Sequence, residues 1–141
     1  MANIFESNYG KAPLHMSESG DKTGDARSIT LASAAAIGDK IYIAKIPGGT
    51  KYTNSEILFG ATVASATVSV GYDALEDRSV AASAVGFFAA GVPVTAGLVH
   101  SVTAPFITDG ALGVYLTVAG AAITAGTKIT FRWAGNAIGI R

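Results

Sequence analysis

Lys128-Ile129-Thr130-Phe131-Arg132-Trp133 puts Ile129, Phe131 and Trp133 on one side of an extended chain and Lys128, Thr130 and Arg132 on the other. Side chains alternate faces along a strand and return every 3.6 residues along a helix, so this period reads as a β-strand with one face buried and one in water. Upstream, Gly113–Val118 places Val114, Leu116 and Val118 together, with Tyr115 and Thr117 opposite. The connection Ala119–Thr127 contains two glycines, and a long-looped hairpin between these two strands is expected. Ala66–Tyr72 alternates as cleanly, with Val68, Val70 and Tyr72 against Thr67, Ser69 and Gly71. Lys40–Ile46 is rich in β-branched residues but alternates imperfectly, Ile41, Ala44 and Ile46 against Lys40 and Lys45. It ends at the turn signal Pro47-Gly48-Gly49, and Glu56–Val63 follows with Ile57, Leu58 and Phe59. Strands recurring about every ten residues with glycine-rich punctuation predict an all-β chain, an antiparallel sandwich or barrel.

One stretch resists this reading. Ser79–Ala90 is alanine-rich, which favours helix, while Gly86 and the pair Phe87–Phe88 weaken a long one; a loop or short helix is expected. The first 28 residues also differ from the rest. They hold Glu6, Lys11, Glu18, Asp21, Lys22, Asp25 and Arg27 without sustained period, too little apolar surface to offset their own ordering entropy. Yet Ile4, Phe5, Tyr9, Leu14 and Met16 are spaced through them. Two readings stand: an extended N-terminal arm that orders against a partner, or a tail folded back on its own domain. The expected division is an arm over 1–28 and one β-sandwich domain over 29–141.

Composition narrows the function. There are no cysteines, so neither disulfides nor thiolate metal sites are available. Net charge is zero and the ten basic residues are dispersed, which gives no basic stripe for nucleic acid. Met1–Ser7 lacks the basic start and apolar run of a secretory signal, and no apolar stretch approaches the ~18 residues of a membrane helix. A soluble chain made in the cytoplasm is expected. Only 14% of residues are charged, against about 25% in an average domain. A monomer of this mass exposes roughly 6,800 Å², so each charge covers about 340 Å² rather than about 190 Å². Small residues cover part of the remainder. Contact with other subunits is the reading for the rest, in keeping with near-zero net charge.

Groups for catalysis are sparse. His15 lies in the polar leader, and His100 sits in the strand-like run Leu98-Val99-His100-Ser101-Val102. No Gly-x-Ser-x-Gly turn positions a nucleophile. Gly48-Gly49-Thr50-Lys51 lacks the upstream glycine and residue order of a phosphate loop. Asp73, Glu76 and Asp77 form an acidic turn broken by Arg78; calcium takes clustered oxygens, but the spacing fits no EF-hand, and a solvated turn is the expectation. The aromatics lie mostly on strands and are assigned to the core. No catalytic residue, metal ligand or cofactor site is assigned, and an enzyme is not expected.

Val68-Ser69-Val70-Gly71-Tyr72-Asp73-Ala74 followed by Phe87-Phe88, and the later runs Val114-Tyr115-Leu116-Thr117-Val118-Ala119-Gly120-Ala121-Ala122 and Ala125-Gly126-Thr127-Lys128-Ile129-Thr130, resemble small structural proteins of tailed phages. The resemblance covers roughly residues 60 to 133. It implies a capsid decoration, or cement, protein with a jelly-roll or related β-sandwich that binds the outer surface of the shell and clamps neighbouring major capsid protein subunits. It implies a virion location; composition adds the expectations of assembly as a homo-oligomer and of no nucleic acid and no membrane as partner. Ile4, Phe5, Tyr9 and Leu14 are the expected interface residues of the arm, since aromatics are favoured as hot spots. Rival readings are a tail or fibre-base component, a shell-forming coat protein, and a carbohydrate-binding β-sandwich assisted by calcium at Asp73, Glu76 and Asp77.

Overall fold

The computed structural model describes residues 3–5, 15–16, 22–46, 50–75, 83–97, 99–102, 106–108 and 110–137. Among them the regular structure is entirely β. In chain order the strands are β1 (Asn3–Phe5), β2 (His15–Met16), β3 (Lys22–Thr30), β4 (Lys40–Ile46), β5 (Thr50–Phe59), β6 (Thr67–Ala74), β7 (Ser83–Pro93), β8 (Val99–Val102), β9 (Phe106–Thr108), β10 (Leu112–Ala119) and β11 (Lys128–Ala137). They form two sheets, β1-β4-β10-β6-β7 and β2-β3-β11-β5-β8, with β9 also on β5.

The two orders are related by the path of the chain. β3 leads to β4, β5 to β6, β7 to β8 and β10 to β11, and each step passes from one sheet to the other. β3 and β8 flank the pair β11-β5 just as β4 and β7 flank β10-β6. The eight strands are thus one four-segment antiparallel ribbon, β3/β4–β11/β10–β5/β6–β8/β7, bent across its middle into a jelly-roll-like sandwich.

The bends are themselves paired. Leu31 N–H donates to the Thr127 carbonyl at 3.0 Å, and Ala35 and Ile123 exchange two backbone hydrogen bonds of 2.9 Å. Gly38 N–H reaches the Val118 carbonyl at 2.8 Å. On the other side, Val63 N–H donates to the Val94 carbonyl at 3.0 Å and Gly97 N–H to the Phe59 carbonyl at 3.1 Å. The four corner segments, 31–39, 120–127, 60–66 and 94–97, therefore lie side by side in the same order as the strands they join.

This corrects the expected hairpin: β10 and β11 lie in different sheets. The segment between them has its own partner in 31–39, so its glycines serve a corner rather than a turn. Gly120 has φ +76°, a region costly for L side chains. The chain there presses on the neighbouring corner, where a Cβ would collide with the Ser65 carbonyl oxygen.

The core lies between the sheets. Ile129, Phe131 and Trp133 are buried as the alternation predicts, facing Val68, Val70, Val114, Leu116 and Val118 in one cluster. Lys128 and Arg132 are exposed on the other face of β11, where Arg132 pairs with Glu56 across the strand pair and Ser28 and Thr130 hydroxyls meet at 2.9 Å. The irregular alternation of Lys40–Ile46 has a cause in its register. Val114 pairs with Ala44 and Tyr115 with Tyr42, which leaves Ile43 as an extra residue. A bulge shifts the phase by one position, so Ile41, Ile43, Ala44 and Ile46 all reach the core.

Two more expectations change. Within Ser79–Ala90, residues 83–90 belong to an 11-residue strand, β7, rather than a loop or helix. Pairing along β6 supplies backbone partners that outweigh alanine's weak helix preference. β3 also begins at Lys22 and pairs with β11 over nine positions, running through the boundary expected at residue 28. The Pro47-Gly48-Gly49 turn lies outside the described residues.

Two glycines with positive φ separate strain from collision. Gly126, at φ +85°, has open space where a Cβ would sit. Gly126→Ala should cost about 1 kcal/mol in urea unfolding, from left-handed backbone strain alone. Gly120→Ala should cost about 3 kcal/mol or more, because it adds an overpacked contact with the backbone.

Candidate interaction site

The outward face of the first sheet carries a row of aromatic rings set by strand register. Phe5 pairs with Tyr42, Tyr42 with Tyr115, and Tyr115 with Gly71. The Phe5 and Tyr42 rings stack with centroids 4.7 Å apart and planes at 15°; Tyr42 and Tyr115 follow at 5.3 Å and 42°. Lys40 Nζ lies 4.9 Å from the Tyr115 ring centroid, a cation–π contact. In the row beyond, Asp73 projects on the same face, and the Tyr42 hydroxyl donates to its Oδ2 at 2.8 Å. Although it faces outward, Tyr115 is only 4% exposed, whereas Phe5 at the sheet edge is 56% exposed.

Of the four residues expected in the arm's interface, Ile4 and Phe5 form part of β1, which pairs in parallel with the edge of β4. Ile4 packs against the core from the side. Between β1 and the stretch Ser28–Ser33 lies a cleft of about 350 Å³, with Ile4, Phe5, Ile29 and Leu31 in its walls. Tyr9 and Leu14 lie outside the described residues.

A second surface is the end of the sandwich made by the four corners. No residue of 31–38, 60–66, 94–97 or 120–127 is charged. The adjoining Asp39 is buried, and its Oδ2 accepts a 2.9 Å hydrogen bond from Ala36 N–H. Ala32, Ala36, Ala64, Ala96, Ala122 and Ala125 are exposed here, and Ile37 is 59% exposed. Because the corners bond to one another, this is a rigid plate of small side chains.

Of the acidic residues considered for calcium, Asp73 is engaged by Tyr42, and Glu76 and Asp77 lie outside the described residues. Among the described residues no group of three or more His, Asp or Glu is placed to hold a metal ion. His100 falls on β8, in register with Ile57. The aromatic row escaped sequence reasoning, which assigned the strand aromatics to the core. Its signal was present in Tyr115, which falls opposite Val114, Leu116 and Val118 in the alternation.

Solved structures provide the comparison. A chain of the capsid of Ralstonia phage GP4 superposes with a TM-score of 0.74 at 23% identity, over 99% of each chain. A chain of the cyanophage Pam1 capsid asymmetric unit gives 0.60 at 17% identity, over 92% of this chain and 96% of that one. A chain of the acid-stable capsid of the Helicobacter pylori bacteriophage KHP30 gives 0.52 at 14% identity, over 79% and 92%. In each case nearly the whole of the matched chain takes part. No protein-family model matches the sequence, and no curated protein matches it.

Burial, and secondarily the Asp73 carboxylate, raise the Tyr115 phenol above its usual 10.0. The folded state therefore holds this proton more tightly than the unfolded state does. The resulting stability is present in full below pH 10.0 and is lost as pH rises through the raised value. Urea midpoints of the wild type should fall steeply above pH 10.0, and Tyr115→Phe should flatten that fall.

Proposed function

We propose that this chain is a non-catalytic structural protein of a phage virion, which binds the outer surface of the capsid and cements neighbouring major coat subunits together with further copies of itself. The observation that carries the reading is the fold shared with components of three phage capsids, over 79% or more of this chain and 92% or more of each of theirs. The sequence resemblance over residues 60 to 133 points the same way. The protein is made in the host cytoplasm and ends on the particle.

The mechanism is surface burial. A specific contact of about 1,600 Å² suffices for stable association, and repetition over a shell adds avidity without new kinds of contact. The corner plate is the surface best suited to seating on the shell. Its small side chains allow close approach, no exposed charge there loses water, and hydrogen-bonded corners have little conformational freedom left to lose. The charged and aromatic groups around Lys40, Tyr42 and Asp73 lie along the side of the sandwich, away from this seat.

Quantitative mass spectrometry of density-purified particles tests this reading. Copy numbers in the hundreds, comparable with the major coat protein, are expected. A handful of copies would move the protein to a tail or fibre base, and complete absence would overturn the virion reading in favour of a glycan-binding module.

The seating surface has its own test. Ala122→Glu places a charge on the corner plate and should lower occupancy on shells at least about tenfold, as a desolvated unpaired charge does. Its urea midpoint should remain that of the wild type. Unchanged occupancy would remove the corner plate from the interface.

A further inference from the structure

β1 is a short strand at the edge of the first sheet, and its side chains have defined seats there. It contributes three residues, pairs in parallel, and holds the edge of β4 through the register Asn3↔Lys40, Ile4↔Ile41 and Phe5↔Tyr42. Parallel pairing is slightly weaker per residue than antiparallel. Against that, the edge it covers is shaped for it: Ile4 packs on the flank of the core beside Ile41, and Phe5 stacks on Tyr42. Without this strand the outer edge of β4 would present a row of open backbone donors and acceptors, a template for another chain.

None of these contacts depends on which copy supplies the segment. Nine residues, 6–14, separate Phe5 from His15, and an extended span of that length reaches roughly 30 Å. That is enough to reach the flank of an adjacent copy of a domain this size. Exchange of an identical element between copies keeps every contact and adds only the cost of association. We infer that the edge of β4, with Ile41 and Tyr42, is an acceptor for the Asn3-Ile4-Phe5 segment of a second copy of this chain, so that assembled subunits are joined by exchanged N-terminal strands. This deepens the homo-oligomer part of the reading above and is independent of the capsid. Particle copy number can fail while exchange holds, and the reverse.

The absence of cysteine makes the test unambiguous. Asn3→Cys and Lys40→Cys introduce single thiols at register-paired positions. When the two single variants are mixed and oxidised, a disulfide between position 3 and position 40 can form only between chains. A mixed covalent dimer with that linkage, identified by peptide mapping, is expected. The double variant should then give chains linked into dimers and larger species. If the double variant instead closes only within single chains and the mixture yields no 3–40 linkage, the inference is overturned.

Should neither bond form, a second measurement decides. A fluorescent peptide of residues 1–8 is titrated into the full chain, where it has to take the place of the chain's own segment on β4. Saturable binding, weakened at least about fivefold by Tyr42→Ala through loss of the ring stack, is expected. No saturable binding would overturn the inference. A fragment of the major coat protein that displaces the peptide with higher affinity would also overturn it, by making the acceptor a site for the shell.

Discussion

Everything in this molecule depends on four bends lying on one line. Each corner carries its segment from one sheet to the other, and the corners are held in register by backbone hydrogen bonds such as the Ala35–Ile123 exchange. Where two corners meet most closely, Gly120 lies against the Ser65 carbonyl. Side chains of ordinary size there would force the segments apart and spoil the alignment of the strands on both sides. The requirement for small residues at the bends also gives the end of the sandwich its charge-free surface. Architecture and proposed seating surface thus share one cause: backbones that approach closely leave little room for long charged side chains.

The side of the sandwich obeys a different logic. Register places Phe5, Tyr42 and Tyr115 in a row that ends opposite Gly71. The rings cover one another progressively, from a half-exposed Phe5 to a nearly enclosed Tyr115. The lysine and aspartate around them satisfy the ring face and the hydroxyl. A surface of this kind is structured before a partner arrives, which reduces the ordering cost of association.

The strands with one buried face were legible because alternation is a direct consequence of the pleat. Ile129, Phe131 and Trp133, and likewise Val114, Leu116 and Val118, declare themselves without knowledge of any neighbour. What escaped was set by partners distant in sequence. Nothing in Ala119–Thr127 indicates that it pairs with residues 31–39, so a hairpin looked natural. β7 becomes a strand because β6 needs a partner, and its alanines say nothing of that. The bulge at Ile43 disturbs a pattern that was visible but unexplained until Tyr42 and Tyr115 were seen opposite one another. The aromatic row was half legible: the face of Tyr115 could be read, but not the assembly of three rings from β1, β4 and β10.

The strand order also sets when this protein can fold. β11 lies between β3 and β5, and β10 between β4 and β6, so the central strand of each sheet is made after both of the strands it separates. Until residues 112–137 emerge, β3 and β4 have no inner neighbour, and the edges of β5 and β6 stand open. Local hairpins such as β6–β7 can form early, but the core cannot close around them. The nascent chain therefore waits with apolar strand faces uncovered, a state prone to aggregation and accessible to chaperones. Quality control is built into the order of synthesis, because a chain that stops short of its C-terminal strands lacks the middle of both sheets.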